Sequence, residues 1–448
     1  LDQYQDLAVE GLAMRDNDGD WNNMDGGIGT GAQNNVRVIK EAPNGDIFIA
    51  GDFLDIPDAD GDYIFRWDGT SRNSVVAGIT GSIRDMEFDA NGDLYVTGNF
   101  DNVGDADGDN IVKITDPTGT PSLSSLGTGL NNTAYALAID PANGYVYVGG
   151  EFTSAGGVAN TNKIAYWDGS AWKALGTGMG GTVNNVHALT FSPNGDLYIG
   201  GSFTGADGSG GANYITRWDG TTFYKVPESL SVELTGKVYA VAFDSNGILY
   251  IAGEFTNAGD NSDADRIARL DGSNWSSLGT GLNGTGYGIF IDSNNKIYVN
   301  GYFSEAGGLG LVDRIACYAN GAWGMLDIDL PGTGIVYSVY LDSGNNLYIG
   351  GNFSTTTDGN AVTGAVVTVT NGGNAQVYPI IEIEGPGVMH SIANQTTGKE
   401  IAFDGLTLQT GEIITLDLNP SKISAKSTWA GRGNLLKHIN PGSDLGQF

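Results

Sequence analysis

Three short acidic segments of the 448-residue chain have a spacing that could bind a metal ion. Each reads Asp-x-Asp-Gly-Asp, and alternating carboxylates in a turn can surround a hard cation such as Ca²⁺ with oxygen ligands. An EF-hand loop also needs Gly at its sixth position and an acid at its twelfth, where the second segment has Tyr63 and Gly69. A calcium site in the second or third segment and a solvated acidic loop therefore both stay open. The segments are Asp16, Asp18 and Asp20; Asp58, Asp60 and Asp62; and Asp105, Asp107 and Asp109.

A second set of residues has the chemistry to bind sugars. Seven aromatic or cationic residues recur at one equivalent position, sixteen residues before a recurring phenylalanine, or seventeen in the third case. Tyr, Arg and His can stack on sugar rings and donate hydrogen bonds to hydroxyls. The alternative is that they pack between neighbouring structural units with their polar ends in solvent. The candidate ligand-binding residues are Arg37, Arg84, Tyr135, His187, Tyr239, Tyr287 and Tyr337.

Residues suited to catalysis are sparse. The three histidines, His187, His390 and His438, lie in separate segments and form no spaced metal motif. Cys317 is the single cysteine, so neither an internal disulfide nor a redox pair can form. Paired carboxylates for glycoside hydrolysis are available among many aspartates, but no pair is distinguished by its surroundings. We therefore expect a protein that is not an enzyme, with calcium as its one candidate cofactor.

The elements that must position these residues are seven copies of a repeat of about fifty residues. In each copy an apolar strand and an Asn-Gly type of turn precede a second strand that ends in Gly-x-Phe. A loop, a third strand, an Asp-Gly turn and a fourth strand follow, so each copy predicts a four-stranded propeller blade. The second strands are IFIAGDF (47–53), LYVTGNF (94–100), VYVGGEF (146–152), LYIGGSF (197–203), LYIAGEF (249–255), IYVNGYF (297–303) and LYIGGNF (347–353).

The seventh repeat lacks a fourth strand, and the N-terminal segment offers one. AVVTVTNGG (365–373) has the pattern of a third strand and then runs into unrelated sequence. DWNNMDGGIG (20–29) is similar to the fourth strands of other repeats. We therefore expect residues 20–29 to complete the last blade, which would remove the open sheet edge. The predicted divisions are an N-terminal extension (1–19), an all-β seven-bladed β-propeller (20–372) and a small β-sandwich (373–448).

Aromatic pairs five residues apart recur across the third and fourth strands, as in Trp167 and Trp172. We interpret them as packing residues between blades rather than a ligand cage. The pattern GGxFTxAGG, IAxWDGSxW and LGTGL resembles kelch-type propellers and, more closely, the Rax2-like cortical marker family and many bacterial surface proteins. This resemblance implies the fold over residues 20–372 and no particular function. Some kelch-like propellers are copper radical oxidases, but Cys317 has no histidine near it in the sequence.

The C-terminal segment resembles the corresponding domain of siphophage distal-tail proteins. Four motifs occur in the order of that family, at Pro379–Gly385, Asn394–Ile401, Gly411–Asp417 and Gly431–Leu436. The family continues into a further strand where this chain stops at Phe448, so we expect the domain to be incomplete or completed by a neighbour. The resemblance implies assembly with other tail proteins as a homo-oligomer.

Charge restricts the partners. The chain has 52 acidic and 21 basic residues, a formal net charge of −31, and its basic residues are scattered. Nucleic acid and anionic membranes are therefore not expected partners. No apolar run reaches the roughly eighteen residues of a membrane-spanning helix.

The leading hypothesis is a non-enzymatic phage tail or tail-like virion protein whose propeller recognises a host glycan or protein, or decorates the surface. The alternative is a secreted or cell-surface β-propeller lectin or adhesin. A polysaccharide-active enzyme is a third hypothesis that no residue pattern favours. The expected location is accordingly the virion or the extracellular space.

Overall fold

A computed structural model of the chain divides into two compact units, Leu1–Gly359 and Asn360–Phe448. Its secondary structure is almost entirely β. The structure describes residues 10–16, 21–22, 24, 28, 34–54, 63–101, 103, 109–181, 185–207, 209–228, 234–310, 312, 314–326, 334–354, 380–384, 387–394, 399–408, 413–417 and 424–427.

The first unit is a seven-bladed β-propeller, as the repeats predict. Each blade is a four-stranded antiparallel sheet. The strands of blades 1 to 3, from the innermost outwards, are Asn35–Glu41, Ile47–Asp52, Ile64–Trp67 and Arg72–Ser74; Ser82–Phe88, Leu94–Asn99, Ile111–Thr115 and Ser122–Ser125; and Ala134–Ile139, Val146–Gly150, Ile164–Trp167 and Trp172–Ala174.

Blades 4 to 6 repeat this order. Their strands are Val186–Phe191, Leu197–Ala206, Ser209–Trp218 and Phe223–Lys225; Val238–Phe243, Leu249–Gly253, Ile267–Asp271 and Asn274–Ser276; and Thr285–Ile291, Ile297–Tyr302, Ile315–Ala319 and Ala322–Gly324. Two loops between second and third strands contain small elements of their own, which are the 3-10 turn Ala258–Asp260 and the hairpin of Glu305–Ala306 with Leu309–Gly310. This turn is too short to cross a membrane, and no described helix is long and apolar enough to do so.

The seventh blade is closed by two N-terminal strands rather than one. Its inner strands, Val336–Leu341 and Leu347–Ser354, are followed in the sheet by Glu10–Arg15 and then by Trp21–Asn22. The fourth strand therefore comes from the predicted segment. The prediction of a third strand at 365–373 is wrong, because that position is already occupied, and residues 365–373 lie outside the described part of the chain.

The same pairing corrects the predicted N-terminal extension at 1–19. Ala13 pairs with Ile349 and Met14 pairs with Tyr348, and the side chains of Leu12 and Ala13 have no exposed surface. The segment Leu12–Asp16 followed by Trp21 has the same pattern as the third and fourth strands of other blades, so the signal was present in the sequence. The boundary predicted at 372 lies outside the described part of the chain.

The core consists of apolar layers between neighbouring blades. Each of seven buried clusters joins two adjacent blades, and one of them joins Leu12 and Tyr348 of blade 7 to Val36 and Phe65 of blade 1. The phenylalanine that ends each repeat motif is buried in every blade, with at most 5% of its surface exposed. The propeller is therefore closed by the same apolar packing that joins its other neighbouring blades.

The aromatic pairs across the third and fourth strands are packing residues, as interpreted from the sequence. Trp167 lies directly across from Trp172, with ring centroids 5.7 Å apart. The indole N–H of Trp172 donates to the carbonyl of Leu126 in blade 2 at 2.7 Å, and that of Trp323 donates to Leu278 in blade 5 at 2.7 Å. These tryptophans thus join successive blades by a hydrogen bond as well as by burial.

The glycine two residues before each anchoring phenylalanine permits a close approach of two strands. A Cβ atom on any of these seven glycines would lie 1.9 to 2.4 Å from the carbonyl oxygen of the residue beside it at the start of the innermost strand. The register shifts by one residue at this point, since Val36 pairs with Gly51 but Val38 pairs with Ala50. Arg37 is the extra residue of this β-bulge. The glycines are Gly51, Gly98, Gly150, Gly201, Gly253, Gly301 and Gly351.

Substituting one of these glycines should be far more costly than substituting a glycine in open space. In Gly253→Ala the new methyl group would meet the carbonyl oxygen of Lys237, so we expect a loss of at least about 3 kcal/mol in the free energy of unfolding. Gly310→Ala is the control, since no atom lies within 4 Å of its Cβ position, and it should change stability by less than about 0.5 kcal/mol. Urea unfolding measures both, and equal stabilities would contradict the bulge mechanism.

The second unit is described only by its strands. Ile413–Asp417 pairs with both Ile380–Glu384 and Ser424–Ser427 to form a three-stranded antiparallel sheet. Gly387–Asn394 and Lys399–Leu408 form a two-stranded hairpin. Strands are thus present where the alternating isoleucines predict them, at Ile380 to Ile383 and Ile413 to Leu416.

Candidate functional site

All seven candidate ligand-binding residues occupy the same structural position, the extra residue of the bulge in the innermost strand. In each blade the register shift falls between the residues on either side of the candidate. A bulge turns a side chain away from the regular alternation of the strand. The fold therefore directs seven side chains toward one mouth of the central channel, and we call them the ring: Arg37, Arg84, Tyr135, His187, Tyr239, Tyr287 and Tyr337.

Five aromatic members of the ring follow one another around the channel. The ring centroids of Tyr135 and His187 are 5.5 Å apart, and those of His187 and Tyr239 are 5.0 Å apart. Tyr239 and Tyr287 are separated by 5.2 Å, and Tyr287 and Tyr337 by 5.8 Å. Neighbouring planes are tilted by 36 to 58°, so the rings form a continuous arc without parallel stacking.

Two arginines and one aspartate complete the circle. The guanidinium of Arg37 lies 4.0 Å from the ring centroid of Tyr337 and binds the carboxylate of Asp52 at 2.8 Å. Arg84 reaches the same carboxylate at 3.2 Å, and the hydroxyl of Ser82 also donates to it. Burial and the neighbouring charge of Arg37 lower the pKa of Arg84, against the attraction of Asp52. One carboxylate therefore holds both cationic members of the ring.

Asp52 belongs to a second set of seven equivalent residues. Each of them is the middle residue of a Gly-x-Phe motif, between its glycine and its phenylalanine. We call these residues the rim: Asp52, Asn99, Glu151, Ser202, Glu254, Tyr302 and Asn352. In blade 5 the hydroxyl of Tyr239 donates to Glu254 at 2.8 Å, and Lys237 binds the same carboxylate at 3.0 Å. Burial and Glu254 raise the pKa of Tyr239 to about 12, and burial and Glu151 raise that of Tyr135 to about 12. In blades 1, 3 and 5 the rim side chain thus contacts the ring residue of its own blade.

The rim was missed at the sequence level. The ring position is aromatic or cationic in every repeat, whereas the rim position is chemically mixed. The signal was nevertheless available, since the variable letter of every Gly-x-Phe motif is the rim residue. Strand pairing brings the rim close to the ring, because each rim residue lies beside the start of the innermost strand of its own blade.

The ring encloses a narrow opening. The 5.0 to 5.8 Å spacings of the five aromatic members, continued around seven positions, give a circle roughly 12 Å across, and van der Waals contact distances leave roughly 8 Å of free width between aromatic faces. Every ring side chain is half-buried rather than enclosed. The mouth is therefore wide enough to admit one sugar ring but not a folded domain.

His187 lies between the rings of Tyr135 and Tyr239, and in the described part of the chain no carboxylate or hydroxyl forms a hydrogen bond with it. Burial, assisted by the positive charge of Lys237, lowers its pKa to about 4 against the opposing effect of Glu254. At neutral pH the imidazole is therefore uncharged, and it contributes to the arc as an aromatic ring.

The proposed calcium ligands lie mostly outside the described residues. This applies to Asp58, Asp60, Asp62, Asp105 and Asp107, and to Asp18 and Asp20 of the first segment; Asp109 and Asp16 are described. Asp16 follows a third strand, so the first segment starts on the face opposite the loops that contain the other two. The described residues contain no group of three acidic, histidine or cysteine side chains able to hold a metal ion.

Many other aspartates stabilise turns. Asp68, Asp168 and Asp219 begin the turns between third and fourth strands of their blades, and each accepts hydrogen bonds from the backbone and hydroxyl groups of the next residues. These donors hold the pKa of all three carboxyls well below the usual range. Asp89, Asp244, Asp292 and Asp342 accept backbone N–H groups in turns between first and second strands. Much of the acidic composition therefore reflects turn chemistry.

The remaining chemical candidates do not join the ring. Cys317 is buried in a third strand, where its Sγ lies 3.5 Å from the carbonyl oxygen of Gly324. His390 lies in the second unit within the strand Gly387–Asn394, and His438 lies outside the described residues.

Comparison with known families supports the propeller assignment. Residues 111–278 match the model of the Rax2 C-terminal beta propeller domain, which covers less than half of the chain. No curated protein matches the chain.

Two solved structures share low identity with the chain. The extracellular domain of a putative one-component system from B. thetaiotaomicron is 13% identical with a TM-score of 0.49, and the match covers 90% of this chain but 47% of that one. This chain thus spans about half the length of that structure. Catalytically inactive virginiamycin B lyase from Staphylococcus aureus, solved with quinupristin, is 12% identical with a TM-score of 0.42, and the match covers 71% of this chain and 96% of the lyase. Neither likeness transfers a ligand or an activity to this protein.

The depressed pKa of His187 predicts a loss of stability in mild acid. An unfolded histidine titrates near 6.5, so its contribution is complete above that pH and is lost as the pH falls toward about 4. Between pH 7 and pH 5 the wild type should lose about 2 kcal/mol more unfolding free energy than His187→Tyr, which places the commonest ring residue there. Urea unfolding at both pH values measures this difference, and an NMR titration of His187 with a pKa of 6.5 or above would contradict it.

Proposed function

We propose that this protein is a non-enzymatic recognition protein whose propeller binds a glycan at the ring, and whose C-terminal unit assembles it into a phage tail or tail-like virion. The arc of five aromatic side chains at one channel mouth carries the binding proposal. Aromatic faces stack on the apolar faces of sugars, and Tyr hydroxyls exchange hydrogen bonds with sugar hydroxyls. Because each side chain stands on a bulge of a packed blade, the surface needs little ordering before it binds.

The charges of the ring support a ligand recognised by stacking and hydrogen bonding. Arg37 and Arg84 share Asp52, and Lys237 is paired with Glu254, so these cations already have partners within the protein. The chain as a whole, with a net charge of −31, repels polyanions such as nucleic acid. A sugar bearing mainly hydroxyl groups matches this surface.

The composition of the ring favours binding over catalysis. Its histidine contacts two tyrosine rings and is uncharged at neutral pH. With its pKa lowered to about 4, His187 is a weak base at neutral pH, so it is better suited to stacking than to proton abstraction. The rim carboxylates also have partners: Asp52 binds Arg37 and Arg84, Glu254 binds Lys237 and Tyr239, and Glu151 interacts with the hydroxyl of Tyr135.

The C-terminal unit supports the assembly part of the proposal. It has four motifs in the order found in siphophage distal-tail proteins, and its described residues form β-strands. The resemblance implies assembly as a homo-oligomer, so the partners would be further copies of this chain and other tail proteins, in a virion. The alternative, a secreted or cell-surface lectin or adhesin, uses the same ring without this assembly.

Removing two tyrosines from the arc should abolish glycan binding. The variant with Tyr239→Ala and Tyr287→Ala loses adjacent stacking surfaces, and we expect at least a tenfold weaker affinity, about 1.4 kcal/mol or more, for any sugar that the wild type binds. A glycan array followed by calorimetry measures the loss.

The matched control removes a pair of half-buried tyrosines from another part of the propeller. Tyr145 and Tyr166 lie with ring centroids 5.5 Å apart at the opposite end of blade 3. Substituting both by Ala should leave glycan affinity unchanged while imposing a comparable packing loss. If the ring variant retains wild-type affinity with an unchanged melting temperature, the ring is not the binding surface.

The assembly proposal predicts an oligomer that depends on the second unit. In light scattering, the full chain should have the mass of a symmetric oligomer, whereas a chain ending at Gly359 should be monomeric, because its blades are already closed. Both chains should bind the same glycans. A monomeric full chain would contradict the tail role and favour the lectin or adhesin alternative.

A further inference from the structure

Tyr302 is an exposed aromatic residue on the rim. Of the large apolar side chains in the described residues, only Leu54 and Tyr302 are exposed, with 45% and 50% of their surfaces accessible. Tyr302 pairs with Thr285 at the start of the innermost strand of blade 6, two residues before Tyr287 of the ring. The equivalent rim residue in blade 5, Glu254, contacts the hydroxyl end of its own ring tyrosine. Tyr302 therefore occupies in blade 6 the backbone position from which Glu254 reaches the ring tyrosine of blade 5, at the outer edge of the ring.

The other six rim residues are polar, and several have a partner within the protein. Asp52 binds two arginines, and Glu254 binds Tyr239 and Lys237. Ser202 and Asn352 accept the backbone N–H groups of Asn185 and Ile335 at 3.0 and 2.6 Å. Blade 6 instead places a large aromatic surface in solvent at this position. An exposed aromatic beside an aromatic arc is an unfavourable arrangement for the free protein and a favourable one for stacking a ligand.

The backbone around Tyr302 is held firmly. Tyr302 ends a strand, and the residues two and three positions later are bound by Asn283, whose Oδ1 accepts the N–H groups of Ser304 and Glu305 at 2.9 and 3.0 Å. The Nδ2 group of Asn283 also donates to the hydroxyl of Ser304 at 3.0 Å. Only the two side-chain torsions of Tyr302 remain to be fixed, so stacking on it costs little conformational entropy.

The width of the mouth determines what this surface can contact. An opening of roughly 8 Å accommodates one sugar ring among the aromatic side chains, so a second unit must lie outside, at the level of the rim. We propose that Tyr302 is a stacking platform for the second sugar, and that the ligand is therefore an oligosaccharide bound by its terminal two units. This inference rests on the proposed function, and it assigns the preference for chain length to one residue.

The test compares affinity for single sugars and for their trisaccharides. Calorimetry would use glucose, galactose, mannose and N-acetylglucosamine, each with its own homotrisaccharide. We expect the wild type to bind the trisaccharide of its preferred sugar about tenfold more tightly than the monosaccharide, as one additional aromatic contact would provide. Tyr302→Asn should bind both about equally, and it introduces the residue that blades 2 and 7 already have at this position, in Asn99 and Asn352.

Two controls separate stacking from general effects. Tyr302→Phe keeps the aromatic face and should retain the preference for the trisaccharide. Leu54→Asn removes the other exposed apolar side chain and should also retain it. If the wild type shows no preference for length, or Tyr302→Asn keeps that preference, the inference is wrong while the ring remains a binding site. If the folded wild type binds no sugar of the panel, the proposed function fails and the inference fails with it.

Discussion

The close approach between the end of the second strand and the start of the innermost strand is the constraint on which the rest of this propeller depends. A carbonyl oxygen occupies the place where a Cβ would stand on the second strand, so only glycine fits there. This approach shifts the register by one residue and places an extra residue opposite the glycine. The same short motif then turns back into the core through its buried phenylalanine. Close backbone packing, the ring and the blade interface are thus three consequences of one Gly-x-Phe unit.

Closure of the propeller has a different physical basis, because it joins parts of the chain that are distant in sequence. Blade 7 takes its two outer strands from the N-terminus, so backbone hydrogen bonds as well as side-chain packing span the junction. Its apolar cluster with blade 1 includes Leu12, Met24 and Ile28, which come from the same N-terminal segment. The N-terminal strands pair with the outer edge of Leu347–Ser354, an edge that would otherwise be open to pairing with other chains.

The net charge of the whole molecule and the charges at the ring have different characters. Many acidic residues stabilise turns, where backbone N–H groups and hydroxyls satisfy their carboxylates. The ring instead contains two arginines that share the carboxylate of Asp52 and a histidine that burial keeps uncharged. A strongly acidic protein therefore presents an aromatic surface with paired cations at one channel mouth. This contrast is what favours recognition of a hydroxyl-rich ligand there over recognition of a polyanion.

The sequence by itself determined the number of blades, the four strands of each of the first six blades, the buried phenylalanines and the equivalence of the seven ring residues. All of these are local or periodic, so a regular spacing from Phe53 to Phe353 is enough to place Arg37 and Tyr337 at the same point of different blades. Only the tertiary structure decided that one Asp52 serves both arginines and that Tyr302 is exposed. These features arise from contacts between residues far apart in the chain or on different blades, and a repeat pattern specifies the position of a side chain without specifying its neighbour across the interface.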